Sequence, residues 1–177
     1  LARLARPGET LLTAQAAPIR VPEGMHASFV AEIVQMVPAA EIAACDDPRI
    51  VTLGWDHAAD LLALATLCNP GPFSLRAQDL GDFWGIRDGK RLVAMAGERM
   101  KLPGHVEISG VATHPDFRGR GFGALLSRFV AGKIAAAGET PFLHALADNT
   151  AAISVYRSIG FQVRRELQFA ALSRDPA

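Results

Sequence analysis

The sequence runs to 177 residues, half of them hydrophobic and 20% charged, with eighteen basic and eighteen acidic side chains and zero formal net charge. That length suits one ordinary domain, burying roughly 70% of its unfolded surface without help from disulfides or metal. The neutral balance excludes a broad electrostatic surface for nucleic acid or an anionic membrane, and no apolar run reaches the roughly 18 residues of a membrane span.

Two apolar segments, residues 10–14 and 28–37, flank a turn-rich stretch with Pro18, Pro22 and Gly24. Alternation through residues 29–37 favours a strand, and neither segment carries a catalytic signature. The chain opens at Leu1 with no apolar secretory core, which reads as a chain that has lost some leading residues. Cys45 and Cys68, outside any CxxC pair, read as reduced thiols of a cytoplasmic protein with no metal site. Asp46-Asp47-Pro48 punctuates the chain. It divides an N-terminal extension, residues 1–47, from a main domain, residues 48–177.

Residues 50–53 read as a short strand. Asp56 is the expected N-cap of a helix over residues 60–67, with Leu61, Leu62, Leu64 and Leu67 as its buried stripe. Asn69-Pro70-Gly71-Pro72 stops that helix, and Leu80 closes a second short one. From Phe83 the pattern turns to β: residues 83–87 and 91–100 form a hairpin through a type I′ turn at Asp88-Gly89. Pro103-Gly104 turns into a further strand over residues 105–113. A helix over about residues 121–137 places Phe122, Leu125, Leu126, Phe129, Val130 and Ile134 at helical spacing. A strand over 142–147, a helix over 150–159 and a strand over 161–172 complete a mixed α/β order without repeats.

Between one of those strands and the amphipathic helix lies Arg118-Gly119-Arg120-Gly121-Phe122-Gly123. Glycines let backbone N–H groups approach a ligand, and the unpaired donors of a helix's first turn form an anion site. Arg118 and Arg120 add positive charge, and Arg favours bidentate phosphate contacts. No Gly-Lys-Ser/Thr follows, and the third glycine comes two residues after the second, which excludes a Walker loop and a dinucleotide fingerprint. On this motif alone a purely structural glycine turn stays open.

Residues 111–117 followed by Arg118, Gly121 and Gly123 resemble the coenzyme motif of the GNAT acetyltransferases, Arg/Gln-x-x-Gly-x-Gly/Ala. A second segment fits independently, with Asn149, Ala152, Tyr156 and Gly160-Phe161 matching Asn-x-x-Ala-x-x-x-Tyr-x-x-x-Gly-Phe. The resemblance covers roughly residues 50–172. Its nearest flavour is the FR47-like branch related to glycine N-acyltransferases, which would suit an extended, partial N-terminal half. It implies a GNAT fold, a mixed central sheet flanked by helices, and transfer of an acetyl group from acetyl-CoA to a primary amine.

The resemblance also implies roles. Val111, Ala112 and Thr113 would pair with the pantetheine arm, after a bulge at Ser109-Gly110. Arg118, Gly119, Arg120, Gly121, Phe122 and Gly123 would hold the pyrophosphate. Asn149, Ala152 and Arg157 would line the far side of the coenzyme, and Tyr156 would point at the sulfur. Acetyl transfer needs a neutral amine, a stabilised oxyanion and a proton for the departing thiolate. Tyr156 could supply that proton, or simply pack on the sheet. Glu107, followed by Ile108 as in histone-type members, is the expected base, with its pKa raised by a partly apolar cleft; Glu98 is its rival, and an exposed strand glutamate the bland alternative. His144 and His105 could also move protons. Phe73 with Cys68 would wall the acceptor site and Glu98 would bind the amine. The expected acceptor is a small amine or amino acid, with a protein amine second, and a homodimer stays open. A non-catalytic acyl-CoA-binding regulatory module is the alternative reading.

Overall fold

The computed structural model describes residues 5–174. Its apolar runs become eight strands: β1 (Thr10–Gln15), β2 (Met25–Pro38), β3 (Ile50–Leu53), β4 (Phe83–Asp88), β5 (Arg91–Leu102), β6 (His105–Thr113), β7 (Thr140–Leu146) and β8 (Phe161–Arg174). The segments of helical period become α1 (Ala58–Cys68), α2 (Phe122–Ala136) and α3 (Thr150–Ser158). All eight strands join one sheet in the order β1-β8-β2-β7-β6-β5-β4-β3. Every neighbouring pair is antiparallel except β6–β7, whose parallel pairing needs a crossover, and α2 supplies it.

Helices cover both faces, and β5 shows the division. Met95 points into a cluster with Leu61, Leu64 and Ala65 of α1. Ala94 and Ala96 point the other way, into a core with Leu126, Val130 and Ile134 of α2 and Ile153 and Tyr156 of α3. The sheet is therefore buried on both faces where β5 runs, which is why residues 92–96 form a continuous apolar run.

Four sequence-based expectations change. The boundary after residue 47 does not separate two bodies, because β2 lies between β8 and β7 and pairs with both. Its ladder is long and non-local, so no local signal near Asp46-Asp47-Pro48 reports it. Asp56 does not cap α1: it sits in a single-turn 3₁₀ helix, Trp55–His57, and His57 takes the N-cap position. Leu67 is not part of the buried stripe and is 53% exposed. The packed face of α1 is Leu61, Leu64, Ala65 and Cys68, the i, i+3, i+4, i+7 spacing, which leaves Leu67 outside. Finally, Asp88 pairs with Arg91, so the hairpin loop is Gly89-Lys90. Positive φ falls only on the first central residue, Gly89 at +57°, the pattern of a type II′ turn.

The expected bulge is present. Met95 opposes Ala112 and Gly97 opposes Ser109, so Ala96 faces both Gly110 and Val111. Gly110 takes φ +62°, open to glycine at little steric expense. One extra residue reverses which face each following side chain uses. Before it, Val106 and Ile108 enter the α2-side core; after it, Ala112 enters the α1-side cluster. A Cβ at Gly110 would lie 2.9 Å from Cε1 of Phe83. We expect Gly110→Ala to lower the urea unfolding midpoint, by an amount equivalent to about 1–3 kcal/mol, through left-handed strain and this contact together.

Candidate active site

The site begins where β6 and β7 part. Their parallel ladder holds only from His105–Thr140 to Ile108–Leu143. Beyond it, β6 follows β5 to Thr113 while β7 follows β2 to Leu146. Val111, Ala112 and Thr113 thus border a fork between two strands of one sheet. Gly110 starts the opening, and Phe73 closes it from the side: its Cε2 atom stands 3.3 Å from the Cβ position of Gly110, and its ring meets Phe83 edge-on at 5.5 Å. Cys68 lies nearby, its Sγ donating to the Thr113 carbonyl at 3.4 Å, and burial pushes its thiol pKa up. Phe73 and Cys68 thus both lie against the second half of β6.

Beyond Thr113 the chain makes a 3₁₀ turn, Pro115–Phe117, capped by the His114 ring, whose Nδ1 accepts from the Asp116 N–H at 3.2 Å. Gly119 and Gly121 both take φ +76°, with open space around each Cβ position. Gly121 is the N-cap of α2 and offers no side-chain cap; the first helical bond runs from the Leu125 N–H to the Gly121 carbonyl. The N–H groups of Phe122, Gly123 and Ala124 precede that bond and have no helical acceptor. Arg118 reaches back to the Thr113 carbonyl at 3.4 Å, and Arg120 lies over the Phe117 ring at 4.7 Å. Free donors, a helix dipole and two guanidinium groups on an open surface fit a phosphate-bearing ligand.

Two expected ligand-binding residues turn out to serve α3 itself. The Asn149 side chain accepts from the Ala152 N–H at 3.0 Å, so the two motif residues form an N-cap. Arg157 is exposed on the same helix. Tyr156 packs in the α2-side core, and burial raises its phenol pKa to about 12. It therefore stays protonated throughout the physiological range, as a proton donor must.

The two glutamates differ from expectation. Glu107 is completely buried. Arg99 grips it with two hydrogen bonds, 2.8 Å from Nε and 2.7 Å from Nη2, and His144 Nδ1 adds a third at 2.8 Å. Burial pushes its carboxyl pKa up, but the bonds and charges of Arg99 and His144 outweigh that and hold it below the ordinary 4.5. The raised pKa expected for a base is replaced by its opposite, since a carboxylate that accepts three charge-assisted bonds is stabilised as the anion. Glu98 opposes Ile108, whose side chain enters the α2-side core, so Glu98 projects on the other face of the sheet from Glu107. There it pairs with Lys101 at 2.9 Å, on the face opposite the α1-side cluster against which Phe73 packs. The residue that sequence reasoning undervalued is His144, a single histidine on a strand until its partners are visible. Among the described residues, no group of three His, Cys, Asp or Glu side chains is placed to hold a metal, and no helix is long and apolar enough to cross a membrane.

The sign of the Glu107 shift fixes its contribution to stability. A carboxyl depressed in the folded state stabilises above its unfolded pKa and loses that contribution as pH falls through its folded value. Glu107→Gln should therefore be clearly less stable than the parent at neutral pH, with the gap closing as pH drops below 4.5. Urea unfolding at a series of pH values measures this directly. A gap that stays constant down to acid pH would show that Glu107 is not held as the anion.

Comparison with known proteins matches this geometry. The FR47-like protein family model matches residues 83–170. A protein from Novosphingobium aromaticivorans, assigned to the acetyltransferases of the GNAT family, is 38% identical, with a TM-score of 0.92, over 98% of this chain and 78% of its own. Two more distant structures share the fold alone. A GNAT-family acetyltransferase from Colwellia psychrerythraea is 13% identical with a TM-score of 0.67, and the chain, 82% of it aligned, spans 57% of that protein's length. The ribosomal-protein-S18-alanine N-acetyltransferase of Escherichia coli is 18% identical with a TM-score of 0.57, over 72% of this chain and 94% of its own. No curated protein matches the sequence.

Proposed function

The chain belongs to the GNAT acetyltransferases, and we propose that it moves the acetyl group of acetyl-CoA to a primary amine by direct attack on the thioester. The observation that carries this reading is the opening of β6 from β7 directly before the uncapped start of α2. When bound, acetyl-CoA supplies the activated carbonyl. The N–H groups from Arg118 to Gly123, with Arg118 and Arg120, would hold its pyrophosphate. The β6 edge at Val111, Ala112 and Thr113 would pair with its pantetheine arm. Asn149 and Ala152 contribute by fixing the start of α3, which carries Tyr156 and Arg157. Tyr156 would give its phenolic proton to the departing thiolate.

For the acceptor we favour a small amine or amino acid, bounded on one side by Phe73 and Cys68. A protein amine is second; it has a precedent in the Escherichia coli enzyme, which by its name acetylates an alanine of ribosomal protein S18. The unpaired Cys45 and Cys68 suit a cytoplasmic setting. The tight pairing of Glu107 favours one rival, an acyl-CoA-binding module without turnover. Release of free thiol from acetyl-CoA in the presence of a panel of primary amines separates the two.

Two variants test the assignments. Gly121→Asp places a side chain at a left-handed position and a negative charge among the phosphate donors. Calorimetry should show CoA binding lost while circular dichroism keeps its native shape; parental affinity would remove the core of this reading. Tyr156→Phe should lower kcat by about 10²–10⁴-fold and leave CoA affinity nearly unchanged, as loss of a general acid does. A rise in KM alone would make Tyr156 a packing residue.

A further inference from the structure

Five polar side chains form an unbroken line across the sheet, one from each of five successive strands: Arg99 on β5, Glu107 on β6, His144 on β7, Gln35 on β2 and Arg164 on β8. Arg164 Nη1 donates to Gln35 Oε1 at 2.7 Å, so the amide nitrogen of Gln35 is the atom 3.2 Å from His144 Nε2. An amide nitrogen only donates, which makes Nε2 an acceptor. On the other side, the Glu107 carboxylate only accepts, so His144 Nδ1 carries the hydrogen in their 2.8 Å contact. Both neighbours thus select one neutral tautomer, with its lone pair on Nε2. That lone pair is covered only by a neutral amide.

The position is as informative as the tautomer. Leu143 is the last β7 residue paired with β6, so His144 stands at the vertex of the fork. Leu143 enters the α2-side core, and His144 therefore points to the face that Glu107 uses. The His144 side chain is 11% exposed and that of Glu107 only 1%, so of this pair the imidazole is the part a ligand can reach. Resting on the acetyl-transfer reading above, we propose that His144 Nε2 takes the proton of the attacking amine and that Glu107 is a positioning residue that holds the imidazole. As the amine nitrogen bonds to the carbonyl carbon, the C–S bond breaks and its electron pair leaves on sulfur. The surplus N–H proton passes to Nε2, the sulfur takes its proton from Tyr156, and solvent restores both side chains.

The charged groups around His144 are Glu107 of β6, backed by Arg99 of β5, and Arg164 of β8, reached through Gln35 of β2. On its own strand the Phe142 ring packs edge-on at 5.7 Å.

Nitrogen NMR of the histidine-labelled free protein reads the assignment without turnover. His144 is expected to hold its neutral proton on Nδ1 and to take up its second proton on Nε2; a neutral proton found on Nε2 overturns the proposal. Kinetics use acetyl-CoA with whichever primary amine of the panel releases thiol fastest. His144→Gln should lower kcat/KM by about 10²–10⁴-fold. CoA affinity measured by calorimetry should stay within about two-fold. The acid limb of the parental kcat/KM profile should fall at the pH where NMR shows His144 titrating, and should vanish in the variant. If His144→Gln keeps the parental rate or the acid limb, the assignment is wrong while acetyl transfer stands. A parent protein that binds CoA and releases thiol with none of the amines removes the acetyl-transfer reading, and this assignment with it. Glu107→Gln should lower kcat/KM too, with the His144 nitrogen shifts moved from their parental values; should it fail to fold, the His144→Gln arm decides alone.

Discussion

The short parallel pairing of β6 with β7, from His105–Thr140 to Ile108–Leu143, sets the position of everything around the site. β6 stays with β5 and β7 with β2, and after four paired positions the two strands diverge. The bulge at Gly110 makes the separation permanent, because the extra residue bends β6 and turns its following side chains over. An opening in the middle of a sheet leaves backbone donors and acceptors without a strand partner, and buried groups of that kind require one. The fold sets that opening beside the uncapped donors at the start of α2. Phe73, Cys68, the start of α2 and His144 are all placed by reference to it.

The same vertex holds the most heavily buried charge among the described residues. A carboxylate with no exposed surface is tolerable only when its lone pairs are satisfied and its charge is opposed. Arg99, His144 and the Met100 N–H together meet that demand for Glu107. The arrangement is directional. Arg99 and Arg164, at the two ends of the line, can only donate, and each intervening group passes that polarity inward until the two meet at His144 and Glu107. A single histidine tautomer is thereby selected by groups on four other strands. That is a tertiary device, since no two members of the line are sequence neighbours.

The α3 motif shows how a recognisable pattern can act indirectly. Asn149 and Ala152 look like ligand-binding residues, yet their visible interaction is with each other, as a helix cap. A cap fixes where a helix begins and therefore where its later residues point. Tyr156 lies on the buried face of a helix whose register depends on that cap. The shared pattern thus reports the placement of Tyr156 as much as contact with a coenzyme.

What the sequence determined by itself was governed by short-range physics. Glycines marked the turn before α2; alternation and helical spacing located the strands and helices; Asn69-Pro70 marked a helix end. These features depend on a few adjacent residues, so they survive in a linear reading, and together they were enough to carry the family resemblance. Tertiary structure alone decided the rest. Whether β2 forms part of an appendage or the centre of the sheet depends on its pairing with β8, 13 register pairs formed by segments from opposite ends of the chain. Whether Glu107 is a poised base or a locked anion depends on Arg99 and on His144, 37 residues away. Which face Glu98 uses depends on pairing with Ile108 across a bulged ladder. In each case the deciding energy is a pairwise interaction between distant residues, and a one-dimensional pattern holds no record of which partners meet.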